Sequence, residues 1–246
     1  MDFLISVLER NITPTEITII ENSFFLIISL PIVTTLTGFM RHVIGLKSLS
    51  VYAPIVVTFA FYQVGFIDVD ADSNFLRGIF FGLILYVIVF LTSSFTYSLI
   101  KPLRMHYIPK TTIVMISVSI VIIFTILLGT LFFDRKGLIY LDIFPLLMIV
   151  TLSDTFVSTL SRKSFEQTSL IGLQTLIIGI LAYGFLSLRE VRTFALEYTA
   201  VLILILVVIN FYIGRFVGLR LTEYFRFSDI LLKEPDDRPT KKNRKK

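Results

Sequence analysis

An all-α, polytopic membrane protein is the fold class this sequence predicts, and three observations carry the prediction. Hydrophobic residues make up 55% of the chain and its mean hydropathy is +0.84, above the roughly 45–50% apolar content of soluble domains. The apolar residues gather into seven runs, each close to the roughly 20 residues an α-helix needs to cross a hydrocarbon core about 30 Å thick. The connections between the runs are short, which places consecutive helices antiparallel. Seven transmembrane helices are therefore expected, with the N-terminus outside, the C-terminus inside and a C-terminal amphipathic helix.

Residues 1–17 form a short extracytoplasmic or interfacial segment. MDFLISVLERN lacks a basic leader and carries Asp2 and Glu9 around its apolar residues, so it does not resemble a signal peptide. Phe3, Leu4, Val7 and Leu8 fall on one helical face, as in a helix lying on a membrane surface. The membrane domain occupies residues 18–214. Its expected spans are 18–39, 51–68, 76–99, 110–132, 138–158, 168–187 and 194–214. Pro54 falls in the first turn of the second span, where proline is tolerated. Pro145 falls within the fifth and is expected to bend it. Residues 215–234 keep helical spacing: Val217, Leu221, Tyr224, Leu231 and Leu232 share one face, and Thr222, Glu223, Arg226, Asp229 and Lys233 the other. That pattern predicts an amphipathic helix on the inner surface. Residues 235–246 are a disordered basic tail by composition. Its expected partner is anionic lipid headgroups, and no nucleic-acid partner is expected.

Orientation follows from the basic residues. With the N-terminus outside, seventeen of the 23 Lys and Arg residues fall on the inner side and six on the outer. Ten of the seventeen lie from Arg215 onward, so the C-terminal segment carries most of the bias. The flanks of the second span agree, with RHVIGLK before it and DVDAD after it.

The chain holds no cysteine, which excludes disulfides, thiolate catalysis and zinc–thiolate sites. Its two histidines, His42 and His106, are far apart and form no HExxH, and no Walker A, GxGxxG or GxSxG motif is present. Neither a metal nor a cofactor is expected. His42 and His106 are expected to be polar loop residues.

The candidate site is a set of polar residues near the inner face: Arg41, Lys47, Asp154, Arg215, Arg220, Glu223 and Arg226. Around Arg215 the residue types favour a membrane boundary, with arginines reaching the headgroups and Glu223 pairing with Arg220 or Arg226. The sharper alternative is an inner-face pocket for an anion. Arg41 and Lys47 fit either topology or the binding of phosphate or carboxylate. Asp154 lies near the inner end of the fifth span. Intramembrane carboxylates are costly and turn toward the bundle interior. Pairing with Arg41 or Arg215, and a role toward protons or substrate, both remain open for it. Asp142 lies too far along the same helix to form a dyad with it, roughly 18 Å at 1.5 Å per residue. Glu21 complements a helix N-terminus, and Asn210 is read as an interhelical hydrogen bond. Gly214 and Gly218 form a GxxxG that would admit a close helix neighbour.

GRFVGLRLTEYFRF resembles the C-terminal signature of the bacterial seven-transmembrane-helix domain family associated with inactive transglutaminase-like domains. The matching positions are Gly214, Arg215, Gly218, Arg220, Glu223, Arg226 and Phe227. LPIVTTLTGFMRHVIGLKSLSVYAPIVVTFAF is similar to the family's first two helices through Pro31, Gly38, Arg41, Gly45, Lys47 and Pro54. The resemblance covers residues 22–228. It implies a multi-pass protein of the bacterial cytoplasmic (inner) membrane, linked to ATP-grasp amino-acid ligases and peptidases. Only about 17 residues precede the first span, so a transglutaminase-like or ATP-grasp ligase partner is expected as a separate chain. The implied function is a non-enzymatic membrane module that anchors or organises a peptide or amino-acid ligation or processing system. A transporter of a small peptide or acidic amino-acid product is the alternative. An intramembrane enzyme would have to rest on Glu223, and no acid–base pair assembles around that residue.

Overall fold

The computed structural model describes residues 14–65, 75–103, 105–133, 143–215, 218 and 221. The expected interfacial helix before residue 14, Asp142, and the amphipathic helix and tail beyond 221 lie outside these residues. Helix α1 (Pro14–Phe39) runs on into a π-helical turn, Met40–Ile44. It is followed by α2 (Ala53–Gly65), α3 (Phe75–Ile100), α4 (Tyr107–Phe133), α5 (Ile143–Arg162), α6 (Phe165–Leu186), α7 (Arg189–Glu197) and α8 (Thr199–Gly214).

Each expected span overlaps a helix, but the helices are unequal. Four of them, α1, α3, α4 and α6, are long and apolar enough to cross a membrane among the described residues. Helices α7 and α8 reach the same length and hydropathy only when taken together, and they meet at a 106° bend at Tyr198. The interval expected at 194–214 therefore starts inside a separate amphipathic helix, because Arg189, Glu190, Arg192 and Glu197 make α7 a surface element. Helix α5 carries Asp154 and several hydroxyls among its apolar residues. It begins at Ile143, which puts Pro145 in its first turn, where a missing N–H breaks no helix bond. The bend expected there has no such cause. Pro31 is the proline that lies inside a helix. Its own carbonyl accepts from the hydroxyls of Thr34 and Thr35 at 2.9 and 2.8 Å, and the helix acceptor that its missing N–H leaves free is the carbonyl of Ile27.

The second interval departs most from expectation. Helix α2 has 13 residues, about 20 Å of rise, too short for a bilayer core of about 30 Å. Eleven of the thirteen residues are buried, and none is exposed. It stands at the centre of the bundle, packed against α1, α3, α5 and α6. Tight contacts make that position possible. A Cβ on Gly78 would lie 3.0 Å from Gly65 Cα, and the Tyr183 hydroxyl fills the notch between these two glycines. A Cβ on Gly82 would overlap the Phe61 ring, and one on Gly179 would lie 3.0 Å from Val57 Cβ. Phe61 meets Tyr183 edge-on, and Phe75 stacks on the same ring at 5.2 Å.

These contacts fix the directions. Helices α2 and α6 run parallel, and α3 runs against both, with Tyr86 Oη donating to the Gly172 carbonyl at 2.8 Å. Asn22 meets Arg192, and further along Thr35 meets Asn210, so α8 follows α1 in the same direction. One end of the bundle thus gathers the finish of α1, α3, α5 and α8 and the start of α4 and α6. It carries Arg41, Lys47, Lys101, Lys110, Arg162, Lys163 and Arg215 and is called the basic end here. The opposite end carries α7.

Buried side chains divide by the same axis. Toward the α7 end the core holds Phe25, Phe61, Tyr62, Val64, Tyr183 and Leu186. Toward the basic end it includes the hydroxyls of Thr35, Thr37, Ser93, Thr96, Thr111, Ser153, Thr168 and Thr175.

Candidate functional site

Between α1 and α2 the chain abandons helix. The π turn ends at Gly45, whose φ of 90° lies in the left-handed region that a Cβ disfavours. The Gly45 and Leu46 N–H groups both donate to the Met40 carbonyl, at 3.0 and 3.1 Å. Residues 45–52 then run as irregular backbone into the bundle. The Lys47 N–H donates to Gln174 Oε1 at 2.9 Å, and the Leu49 N–H to Thr175 Oγ1 at 3.0 Å. These acceptors lie nine and ten residues into α6, about 13–15 Å from its start at 1.5 Å per residue. Ser50 Oγ accepts from the Ala53 N–H at 3.0 Å and caps α2. Helix α2 therefore begins partway along α6, just after the exposed Val51 and Tyr52, and not level with the start of α6.

The expected site residues distribute around this feature. Arg41 lies in the π turn and is half-buried; Lys47 lies in the irregular segment with its side chain exposed. Neither makes an ion pair or a side-chain hydrogen bond among the described residues. Asp154 is half-buried on α5, and its Oδ1 accepts from the Tyr107 hydroxyl of α4 at 2.9 Å. No described arginine pairs with it. Arg215 is exposed at the end of α8, its guanidinium 4.4 Å from the centre of the Phe211 ring, a cation–π contact. Arg220, Glu223 and Arg226 lie outside the described residues. Arg41 and Lys47 thus share one short segment, Asp154 sits at the α4–α5 seam with a tyrosine, and Arg215 closes α8.

Other polar residues also find partners. His42 Nδ1 donates to the Gly38 carbonyl at 3.1 Å, which holds it as a local structural group. Asn210 donates to Thr35 Oγ1 at 2.6 Å, the interhelical bond the sequence led us to expect. At the α7 end Arg192 donates to Asn22 Oδ1 at 2.5 Å and lies over the Phe25 ring. The outer face of α7 borders an open groove of about 400 Å³ lined by Arg189, Glu190, Thr193, Phe194, Glu197 and Tyr198. Among the described residues no three His, Asp or Glu side chains converge as a metal site.

Sequence reasoning missed Gln174 and Thr175. The signal was an amide alone inside the apolar run LIGLQTLIIG, where an unsatisfied side chain would be costly and a partner is required. It also missed Gly78 and Gly82, a GxxxG that the fold uses, while Gly214 has nothing within 4 Å of a Cβ.

A family model described as seven transmembrane helices usually fused to an inactive transglutaminase matches residues 12–231. No curated protein and no solved structure matches the chain.

Proposed function

From the premise that this chain belongs to the family of seven-transmembrane-helix domains usually fused to an inactive transglutaminase, we propose that it is a non-enzymatic membrane module. It anchors or organises a peptide or amino-acid ligation or processing system at the bacterial cytoplasmic membrane, with its N-terminus outside and its C-terminus inside. Its proposed partner is a transglutaminase-like or ATP-grasp ligase chain, and its basic tail rests on anionic headgroups.

The observation that carries this reading is the family's usual companion. A transglutaminase-like domain without activity serves by binding, and a membrane domain that accompanies it serves by placing it. The described polar side chains are consistent with that role. Gln174 and Thr175, which carry no titratable group, are bound to backbone, and Asp154 is bound to the Tyr107 hydroxyl of the neighbouring helix. Affinity capture from native membranes, with an unrelated polytopic protein as control, tests the proposal. Enrichment of a peptide ligase, a peptidase or a transglutaminase-like protein is expected. Capture no richer in such proteins than the control would remove the anchoring role.

One observation favours transport of a small peptide or acidic amino acid as a second reading. A half-length helix preceded by irregular backbone inside a bundle is the form in which many transporters build their binding sites. Proteoliposomes are the test, and the absence of uptake and release of such compounds at several pH values would remove this reading.

A further inference from the structure

We propose that the segment 45–52 lines a water-filled vestibule, open at the basic end of the bundle, that concentrates free small anions bearing carboxylate or phosphate. The inference stands whether the domain anchors a partner or carries a substrate.

The first ground is backbone accounting. Irregular backbone at membrane depth persists only where protein or water satisfies it. Gln174 and Thr175 satisfy the N–H groups of Lys47 and Leu49. The N–H groups of Ser48, Ser50 and Val51 have no protein partner among the described residues. Ser48 and Ser50 are only half-buried, so water can reach their backbone.

The second ground is charge. The Lys47 side chain is exposed at a level roughly 13 Å along α6 from its start. An ammonium facing hydrocarbon there would be strongly disfavoured, so the space it faces is aqueous. Arg41, four residues before the irregular segment begins, is likewise without an ion pair among the described residues. The carboxylates described at this end are Asp154, bound to Tyr107 across the α4–α5 seam, and Glu166, exposed on the first turn of α6. Neither neutralises the two cations. Low-dielectric walls around uncompensated positive charge focus its field and enrich small anions.

The third ground is a pair of buried hydroxyls at the same end of the bundle. Thr37 on α1 and Ser93 on α3 are fully enclosed, with hydroxyl oxygens that have no partner among the described residues. Such groups mark places where bound water is usual.

The chain contains no cysteine, so one introduced thiol can report on this space without a background. Ser48→Cys in the full chain, in sealed native-membrane vesicles, would be treated from each side with two membrane-impermeant methanethiosulfonates of similar size. One carries a sulfonate and the other a trimethylammonium. Leu103→Cys, on the exposed α3–α4 turn, supplies the reference ratio. A positive field also raises the thiolate fraction, but that accelerates both reagents alike, so the ratio isolates the field on the reagent.

Labelling from the basic-end side is expected, with the sulfonate favoured about tenfold over the reference ratio. Arg41→Gln with Lys47→Gln should return the ratio to the reference. Failure of Ser48→Cys to react while Leu103→Cys reacts would overturn the vestibule, and an unchanged or inverted ratio would overturn the anion preference. A preference seen in zwitterionic nanodiscs but abolished by phosphatidylglycerol would assign the cations to lipid headgroups and also overturn the proposal. Should Ser48→Cys not reach the membrane, Leu46→Cys takes its place.

Discussion

At the α7 end, helices α2, α3 and α6 meet through glycine and aromatic surfaces, with the Tyr183 hydroxyl seated between Gly65 and Gly78. At the basic end the chain leading into α2 meets α6 through two backbone-to-side-chain hydrogen bonds, at Gln174 and Thr175. One end is held by close packing, which tolerates no added atom. The other is held by directed polar contacts around an interruption in the helix, which tolerate volume but not the loss of an acceptor. The contrast explains how a helix as short as α2 can be central. Packing fixes where it ends, and hydrogen bonds fix where it begins.

The sharpest way to break this contrast is to add one methyl group at each end. Gly78→Ala places a Cβ 3.0 Å from Gly65 Cα and against Tyr183. Backbone faces backbone there, so the neighbours have little room to move, and a loss of about 2 kcal/mol is expected. Gly38→Ala, in α1 toward the basic end, meets nothing within 4 Å and should leave stability unchanged or slightly raised. Thermal unfolding in detergent, followed by monodispersity, reads both. Equal midpoints for the two variants would mean that the α7 end is not close-packed in the membrane-extracted protein.

A smaller effect is expected from deleting one acceptor at the basic end. Thr175→Val conserves shape and removes the hydroxyl that accepts from the Leu49 N–H. An orphaned buried donor costs about 1–3 kcal/mol. Leu49 is half-buried, so the low end, about 1 kcal/mol, is expected. The freed segment should also label faster at Ser48→Cys. A destabilised variant with unchanged labelling would show that Thr175 supports α6 itself and not the segment.

Sequence and structure agree where apolar length decides the outcome and part where surroundings decide it. The spans holding α1, α3, α4 and α6 were legible because twenty apolar residues in a row have few other uses. Helix α2 was not legible as a short, enclosed helix, since VYAPIVVTFAFYQVGFID is as apolar as a lipid-facing span and hydropathy does not distinguish protein from lipid as the neighbour. The break at Tyr198 was partly legible: RTFALEY mixes charge and apolar residues at helical spacing, the pattern of a surface helix. The candidate site shows the same limit. Residue type marked Arg41, Lys47 and Asp154 as residues needing an explanation, but the partner of Asp154 is set by topology. The antiparallel pairing of α4 and α5 brings Tyr107, 47 positions earlier in the chain, to its carboxylate.

The smallest effect tests the one side-chain hydrogen bond that, among the described residues, ties α8 to α1. Asn210 donates to Thr35 Oγ1 at 2.6 Å and to its own helix at Leu206 O, at 2.9 Å. Most of α8 is exposed, with Leu206 its buried residue, which leaves the bond as a candidate for what holds the helix in place. Two features argue for a modest contribution. Thr35 also donates to the Pro31 carbonyl at 2.8 Å, so it keeps a partner when Asn210 is replaced. Side-chain hydrogen bonds between membrane helices average about 0.6 kcal/mol, because the separated helices find other partners. Asn210→Leu should therefore lower stability by about 0.6 kcal/mol, offset in part by the gain of an apolar surface facing lipid. A loss above about 2 kcal/mol would show that α8 depends on this single bond. The polar mode of assembly seen around segment 45–52 would then extend to the bundle's outer helix, and the division between a packed end and a bonded end would become one between core and periphery.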